Sequence, residues 1–238
     1  MKKSNLNKPI LYVIENINFD KHVLIFGYNN CEVIIKNCNF EYGAYVWING
    51  KCTIEDSSIK EFLSYLSIGA DDLTIKNINL KNFGSNVGFY ADNVINIIDS
   101  NIGSKKEKTN ISIMAVNGIN LANSKIEGSK INCKTKYIES DKNSTLIATD
   151  NLDLNRDNFN QLNIESPFIT YNGKSLINNR RKIVLYKNDS PLRMKRLEFL
   201  EVLKKLKNKC ALLNNRKIEE TKKELDNQAI VKILKKDN

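Results

Sequence analysis

The chain has 238 residues and a mass of 27.2 kDa, with 37 Lys and Arg against 27 Asp and Glu and a net charge of +10. Hydrophobic residues reach 41%, enough for a packed core, which excludes wholesale disorder. No apolar run approaches the roughly 20 residues that a membrane-spanning helix needs.

The N-terminus opens Met1-Lys2-Lys3, and the apolar stretch from Pro9 to Ile14 is cut short by Glu15 and Asn16. That is too short for the core of a signal peptide, and the expected location is the cytoplasm. The five cysteines, at 31, 38, 52, 133 and 210, form no CxxC pair, and His22 is the only histidine. Reduced thiols are expected, with no metal and no cofactor.

An eight-residue pattern then recurs: apolar, any, apolar, any, Asn or Asp, any, polar, apolar. It reads YVIENINF from Tyr12, VIIKNCNF from Val33, CTIEDSSI from Cys52 and LTIKNINL from Leu73. It continues as INIIDSNI from Ile95, INLANSKI from Ile119 and a degenerate LDLNRDNF from Leu152. The starts lie 21, 19, 21, 22, 24 and 33 residues apart, and the last gap holds either an excursion around Ser129 to Asn143 or an extra degenerate coil.

Positions one and three share a face of a short strand, because strand side chains alternate. The fifth position is Asn16, Asn37, Asp56, Asn77, Asp99 and Asn123, failing only at Arg156. Asn and Asp tolerate the left-handed conformation of a sharp bend, and stacked copies can hydrogen-bond between coils. A second apolar stretch precedes most repeats: Ala44 to Ile48, Leu63 to Ile68, Val87 to Ala91, Ile111 to Val116 and Leu146 to Ala148. Two or three short strands per coil of about 22 residues describe a parallel β-solenoid with an interior of stacked Ile, Leu, Val and Phe.

On these seven segments, residues 10 to 190 resemble the right-handed parallel β-helix family of pectate-lyase-like proteins and phage tailspikes. The resemblance implies an all-β, single-stranded right-handed parallel β-helix of about seven or eight coils. It supplies the handedness, which the pattern alone does not fix.

Ser190-Pro191 ends the strand pattern, and Leu192, Phe199, Leu206 and Leu213 then recur every seven residues. Asn214-Asn215 closes this stripe and a second apolar series follows, so residues 191–238 read as an α-helical hairpin after a solenoid domain of residues 1–190. Residues 192–238 carry 14 basic and 7 acidic side chains, a net of +7. Three roles fit a basic hairpin: capping the solenoid, self-association or docking to a protein partner, and contact with a polyanion such as nucleic acid.

Gly69-Ala70-Asp71-Asp72 looks like the paired-aspartate motif of polygalacturonase-type glycosidases, in which two carboxylates divide acid and base roles. The same turn carries Asp92-Asn93 and Asp150-Asn151 in other coils, so the repeat itself accounts for the pair. Arg180, Arg181 and Lys182 form the densest basic cluster outside the tail, where Lys204 and Lys205 belong to a further one. With Val46 and Ile48 inward, Tyr45 and Trp47 point outward, and Tyr65 and Tyr90 extend the row, a surface suited to sugar rings or an apolar partner. The expected function is a non-enzymatic solenoid that binds or scaffolds another macromolecule, such as an inhibitor or accessory protein of a phage or mobile element. The competing expectation is a polysaccharide-active enzyme or a carbohydrate-binding spike.

Overall fold

A computed structural model describes residues 9–59, 65–80, 86–104, 108–177 and 182–186, all within one unit, Met1–Asp189. The expected hairpin of residues 191–238, with Lys204 and Lys205, lies outside the described residues. So do Arg180 and Arg181. Among the described residues there are eighteen β-strands and no helix.

The chain coils into a parallel β-solenoid. Leu11, Glu32, Lys51, Asp72, Val94, Gly118 and Tyr137 pair in one register and open seven successive coils, and Asn158 continues the series. Three ladders run along the solenoid of the described residues. The first stacks Ile14, Ile35, Ile54, Ile75, Ile97 and Leu121, the third position of the motif. The second stacks Ile25, Val46, Ile68, Phe89, Ile113, Cys133 and Leu154. The third, made of very short strands, stacks Phe19, Phe40, Ile59, Leu80, Ile102, Ile126, Leu146 and Ile164. From coil two onward these side chains are buried, and each coil covers its neighbour's apolar edge.

The bend between the first and third ladders is where residue choice is strictest. Asn16, Asn37, Asp56, Asn77, Asp99 and Asn123 all have positive φ, between 47° and 59°. Asn and Asp enter this left-handed region at lower cost than other side chains. Their side chains also link coils: Asn37 Nδ2 donates to Asn16 Oδ1 (2.6 Å), Asn77 to Asp56 (2.7 Å) and Asn123 to Asp99 (2.9 Å). Other Asn columns repeat the device, with Asn117 donating to Asn93 (2.7 Å) and Asn93 to Asp72 (2.6 Å). At Gly50, φ is +135° and an added Cβ would stand 2.0 Å from the Cys31 carbonyl oxygen, so this turn admits only glycine.

A second, hidden ladder sits one residue further on, at the sixth position of the motif. Ser57, Ser100, Ser124 and Ser144 are buried there. Each hydroxyl accepts a hydrogen bond from the backbone N–H of the preceding coil: Cys38 to Ser57, Ile78 to Ser100, Ser100 to Ser124 and Ser124 to Ser144, at 3.0 to 3.1 Å. The hydroxyls of Ser57, Ser100 and Ser124 donate in turn to the carbonyl two residues back. Bends that would otherwise bury unpaired N–H groups are thereby satisfied.

The seventh repeat is not where the motif places it. Leu152 and Leu154 pair with Ile131 and Cys133 on the second ladder, and Phe159 pairs with Ile138 on the first. Leu146, expected in a stretch preceding that repeat, stacks on Ile126 in the third ladder. The 33-residue gap therefore contains an extra coil, opened by Tyr137. Its motif is eroded because Ser140 replaces the inward apolar residue and Lys142 stands two residues after it, where the laddered Asn or Asp would be. Asp141 links the coils instead, accepting from the Asn123 N–H (2.8 Å), and it holds its own turn through the Ser144 N–H (2.7 Å) and hydroxyl (2.6 Å), while Ser144 keeps its place in the serine ladder.

The parallel stack ends in reversed strands. Lys174–Ile177 pairs antiparallel with Phe168–Tyr171, and Lys182–Tyr186 pairs antiparallel with Gln161–Glu165. Lys182 thus lies at the start of a closing strand, opposite Glu165. No helix of the described residues is long and apolar enough to cross a membrane.

Replacing Ser124 by Ala leaves the buried Ser100 N–H without its acceptor. The expected loss is about 1–3 kcal/mol of unfolding free energy by denaturant titration, against a few tenths for the exposed Ser58→Ala. Burial pushes the Asp141 carboxyl up, but its hydrogen bonds from Ser144, Asn123 and Asn143 outweigh this and hold it below the usual range. The stability it confers is complete above the ordinary carboxylate pKa and is lost as pH falls through the lowered folded-state value. Wild type is therefore expected to melt above Asp141→Asn at pH 7, with the gap closing in acid.

Candidate macromolecule-binding face

The outward side chains of the second ladder are unlike those of the other two. Along it, one register column runs parallel to the solenoid axis: Phe26, Trp47, Gly69, Tyr90, Met114, Lys134 and Asn155, one from each coil. The neighbouring column is Leu24, Tyr45, Ser67, Gly88, Ser112, Asn132 and Asp153. Val46 is buried between these columns and Ile48 just beyond the first, while Trp47 is 43% and Phe26 49% exposed. All four aromatic residues singled out from the sequence lie on this face. Sequence reasoning passed over Leu24, Phe26 and Tyr28, which extend it across coil one and are exposed. The alternation Leu24, Phe26, Tyr28 around half-buried Ile25 was the available signal.

The rings form a connected surface. Ring centroids are 6.4 Å apart for Phe26 and Tyr28, 5.7 Å for Phe26 and Tyr45, and 6.5 Å for Tyr45 and Trp47. Two glycines make room for them. The six-membered ring of Trp47 fills the space that a Cβ on Gly69 would need, at 2.4 Å, and the Tyr90 ring does the same over Gly88, at 2.5 Å. Glycine at these outward positions lets the large rings lie down on the sheet instead of standing off it.

Tyr90 divides two grooves on the face. One, of about 400 Å³, includes Tyr65, Tyr90, Asn110, Ser112, Asn132 and Asp153 in its lining. The other, of about 540 Å³, includes Trp47, Tyr90, Asp92, Met114, Lys134 and Lys136. Its floor contains Ala70, Ala91 and Ala115, in register and small. Burial pushes the Tyr90 phenol up, and Tyr65, to which it is hydrogen-bonded, adds to this, while a hydrogen bond with Ser112 pulls the other way.

The expected carboxylate pair resolves into turn chemistry. The Asp72 carboxylate accepts from Asn93 within an Asn ladder. Asp71 is pushed above the usual range by burial and then by the charges of Asp92 and Asp72. Of the three, only Asp92 lines the larger groove. Among the described residues no group of three or more His, Cys, Asp and Glu is placed to hold a metal ion. The four described cysteines are buried free thiols. Cys52 is pushed up to about 12 by burial and by Cys31 beside it, so it stays protonated and unreactive at neutral pH.

No family model matches the chain, and neither does any curated protein or solved structure.

Asp71 supplies a test of its role. A carboxyl whose folded pKa is raised destabilises the fold when ionised. That penalty is full above the folded pKa and vanishes below the ordinary one. Asp71→Asn is accordingly expected to raise the melting temperature at pH 7 and to lose the advantage when both proteins are melted in acid. An Asp71 acting in catalysis would instead show as lost turnover.

Proposed function

We propose that the chain is a binding protein: a right-handed parallel β-helix that engages another macromolecule through the aromatic face of its second ladder. The observation that carries this reading is the continuity of that face. Leu24, Phe26, Tyr28, Trp47 and Tyr65 are each more than two-fifths exposed on adjoining coils, and Tyr45 joins the rings. Soluble proteins seldom leave large apolar rings contiguous and uncovered unless something docks there. Right-handed coiling follows the general rule for connections between parallel strands. The basic residues 191–238 serve assembly or docking in this reading, which suits an inhibitor or accessory protein of a phage or mobile element.

The second reading is a carbohydrate-active protein. What favours it is the smaller groove, where Tyr65 and Tyr90 stand beside Asn110, Asn132 and Asp153, groups able to meet sugar hydroxyls.

Trp47 is the chain's only tryptophan, so its emission reports the face directly. With a binding partner present, Trp47 is expected to be shielded from acrylamide. Phe26→Ser and Tyr45→Ser are expected to weaken that partner at least about tenfold with little change in melting temperature, as buried aromatic anchors do. Release of new reducing ends or unsaturated products from a polysaccharide by the full chain would overturn the binding reading in favour of the enzyme.

A further inference from the structure

The aromatic face changes character along the solenoid axis. In coils one to four its register column carries Phe26, Trp47 and Tyr90, and in coil five Met114. In coil six the same column carries Lys134, and Lys130 and Lys136 stand exposed on the same strand. Lys134 and Lys136 line the larger groove together with Trp47, Tyr90 and Met114, and Lys130 lines the smaller one. Lys136 Nζ is directed to the Asn117 side-chain oxygen at 3.4 Å, a neutral partner. The groove therefore runs from an aromatic end to a cationic end.

Resting on the reading of this face as a binding surface, we propose that its occupant is an extended polypeptide segment, apolar at one end and acidic at the other. The segment lies along the column with apolar side chains on Phe26, Trp47 and Tyr90 and carboxylates at Lys134 and Lys136. Charge complementarity fixes its direction. From Trp47 to Lys134 is four coil steps, about 19 Å at ~4.8 Å per step, which an extended chain covers in about six residues at ~3.3 Å each. Met114 between the two ends is a flexible apolar surface that adapts to varied side chains. A nucleic acid is the poorer fit. Asp92 opposes any anion in this groove, but a nucleic acid would also set phosphates over Phe26, Trp47 and Tyr90, where the column holds no cation, whereas the proposed segment brings its charge only to the lysines.

The test is selection of a displayed random peptide library on the full chain, in parallel with full-length Trp47→Ala and the double variant Lys134→Glu, Lys136→Glu. The basic tail attracts acidic peptides too, so the readout is the difference between parent and variants, all of which keep it. The expected outcome is enrichment of apolar residues followed within about six positions by Asp or Glu, on the parent alone. A synthetic peptide of that pattern is expected to shield Trp47 from acrylamide, to bind at least about tenfold more weakly to the double variant and to weaken with added salt. Enrichment without acidic residues, or unchanged on the double variant, overturns the proposal. Shielding of Trp47 by neutral oligosaccharides or oligothymidylate, with no response to the peptide, overturns the occupant but keeps the face as a binding surface. If no member of the three classes shields Trp47, both readings fall.

Discussion

Everything in this molecule depends on keeping one coil in register above the next at the bend that follows the first ladder. The chain must turn sharply there through a left-handed residue while three strands per coil stay aligned with their neighbours. A slip of a single residue in any ladder would turn its apolar side chains outward. The bend solves both requirements with the same residue. Asn or Asp tolerates the backbone conformation, and its side chain bonds to its counterpart a coil away. The buried serines beside it act on the inner surface, so the bends of coils two to six are pinned on both sides.

That constraint explains what the sequence made legible. Six coils announce themselves because their Asn or Asp cannot be replaced cheaply and their inward apolar pairs keep a fixed distance from it. Coil seven shows in the sequence only as an over-long gap, open to an excursion or an extra coil, because Asp141 performs the linking with a carboxylate that accepts several hydrogen bonds at once, which frees the adjoining positions from the motif. The serine ladder was equally invisible. Cys38 and Ile78 occupy the same position as Ser57 and Ser100, so the column has no single residue type to recognise. Each needs a hydroxyl in the coil above, not in itself.

The aromatic face was half legible. Alternation around Val46 and Ile48 pointed Tyr45 and Trp47 outward. The part played by Gly69 and Gly88 depends on which residue lies across from which, and only the register between coils reveals it. The polarity of the face, rings in the early coils and lysines in coil six, likewise exists only once residues 26, 47, 90, 114 and 134 are brought into one line. Sequence distance of more than a hundred residues collapses there to a path of about 24 Å at ~4.8 Å per step.

The reversed strands at the far end of the stack carry a further consequence. Between coils the operation is a simple translation, and a pure translation has no natural stopping point. Lys174–Ile177 and Lys182–Tyr186 run against the direction of every strand beneath them. They break the symmetry that would let an identical coil, from this chain or a second one, continue the lattice at those two ladders. An identical coil arriving there would meet strands of the opposite sense, so the parallel lattice does not continue unchanged. The number of coils is thus a property that the chain sets for itself on that side.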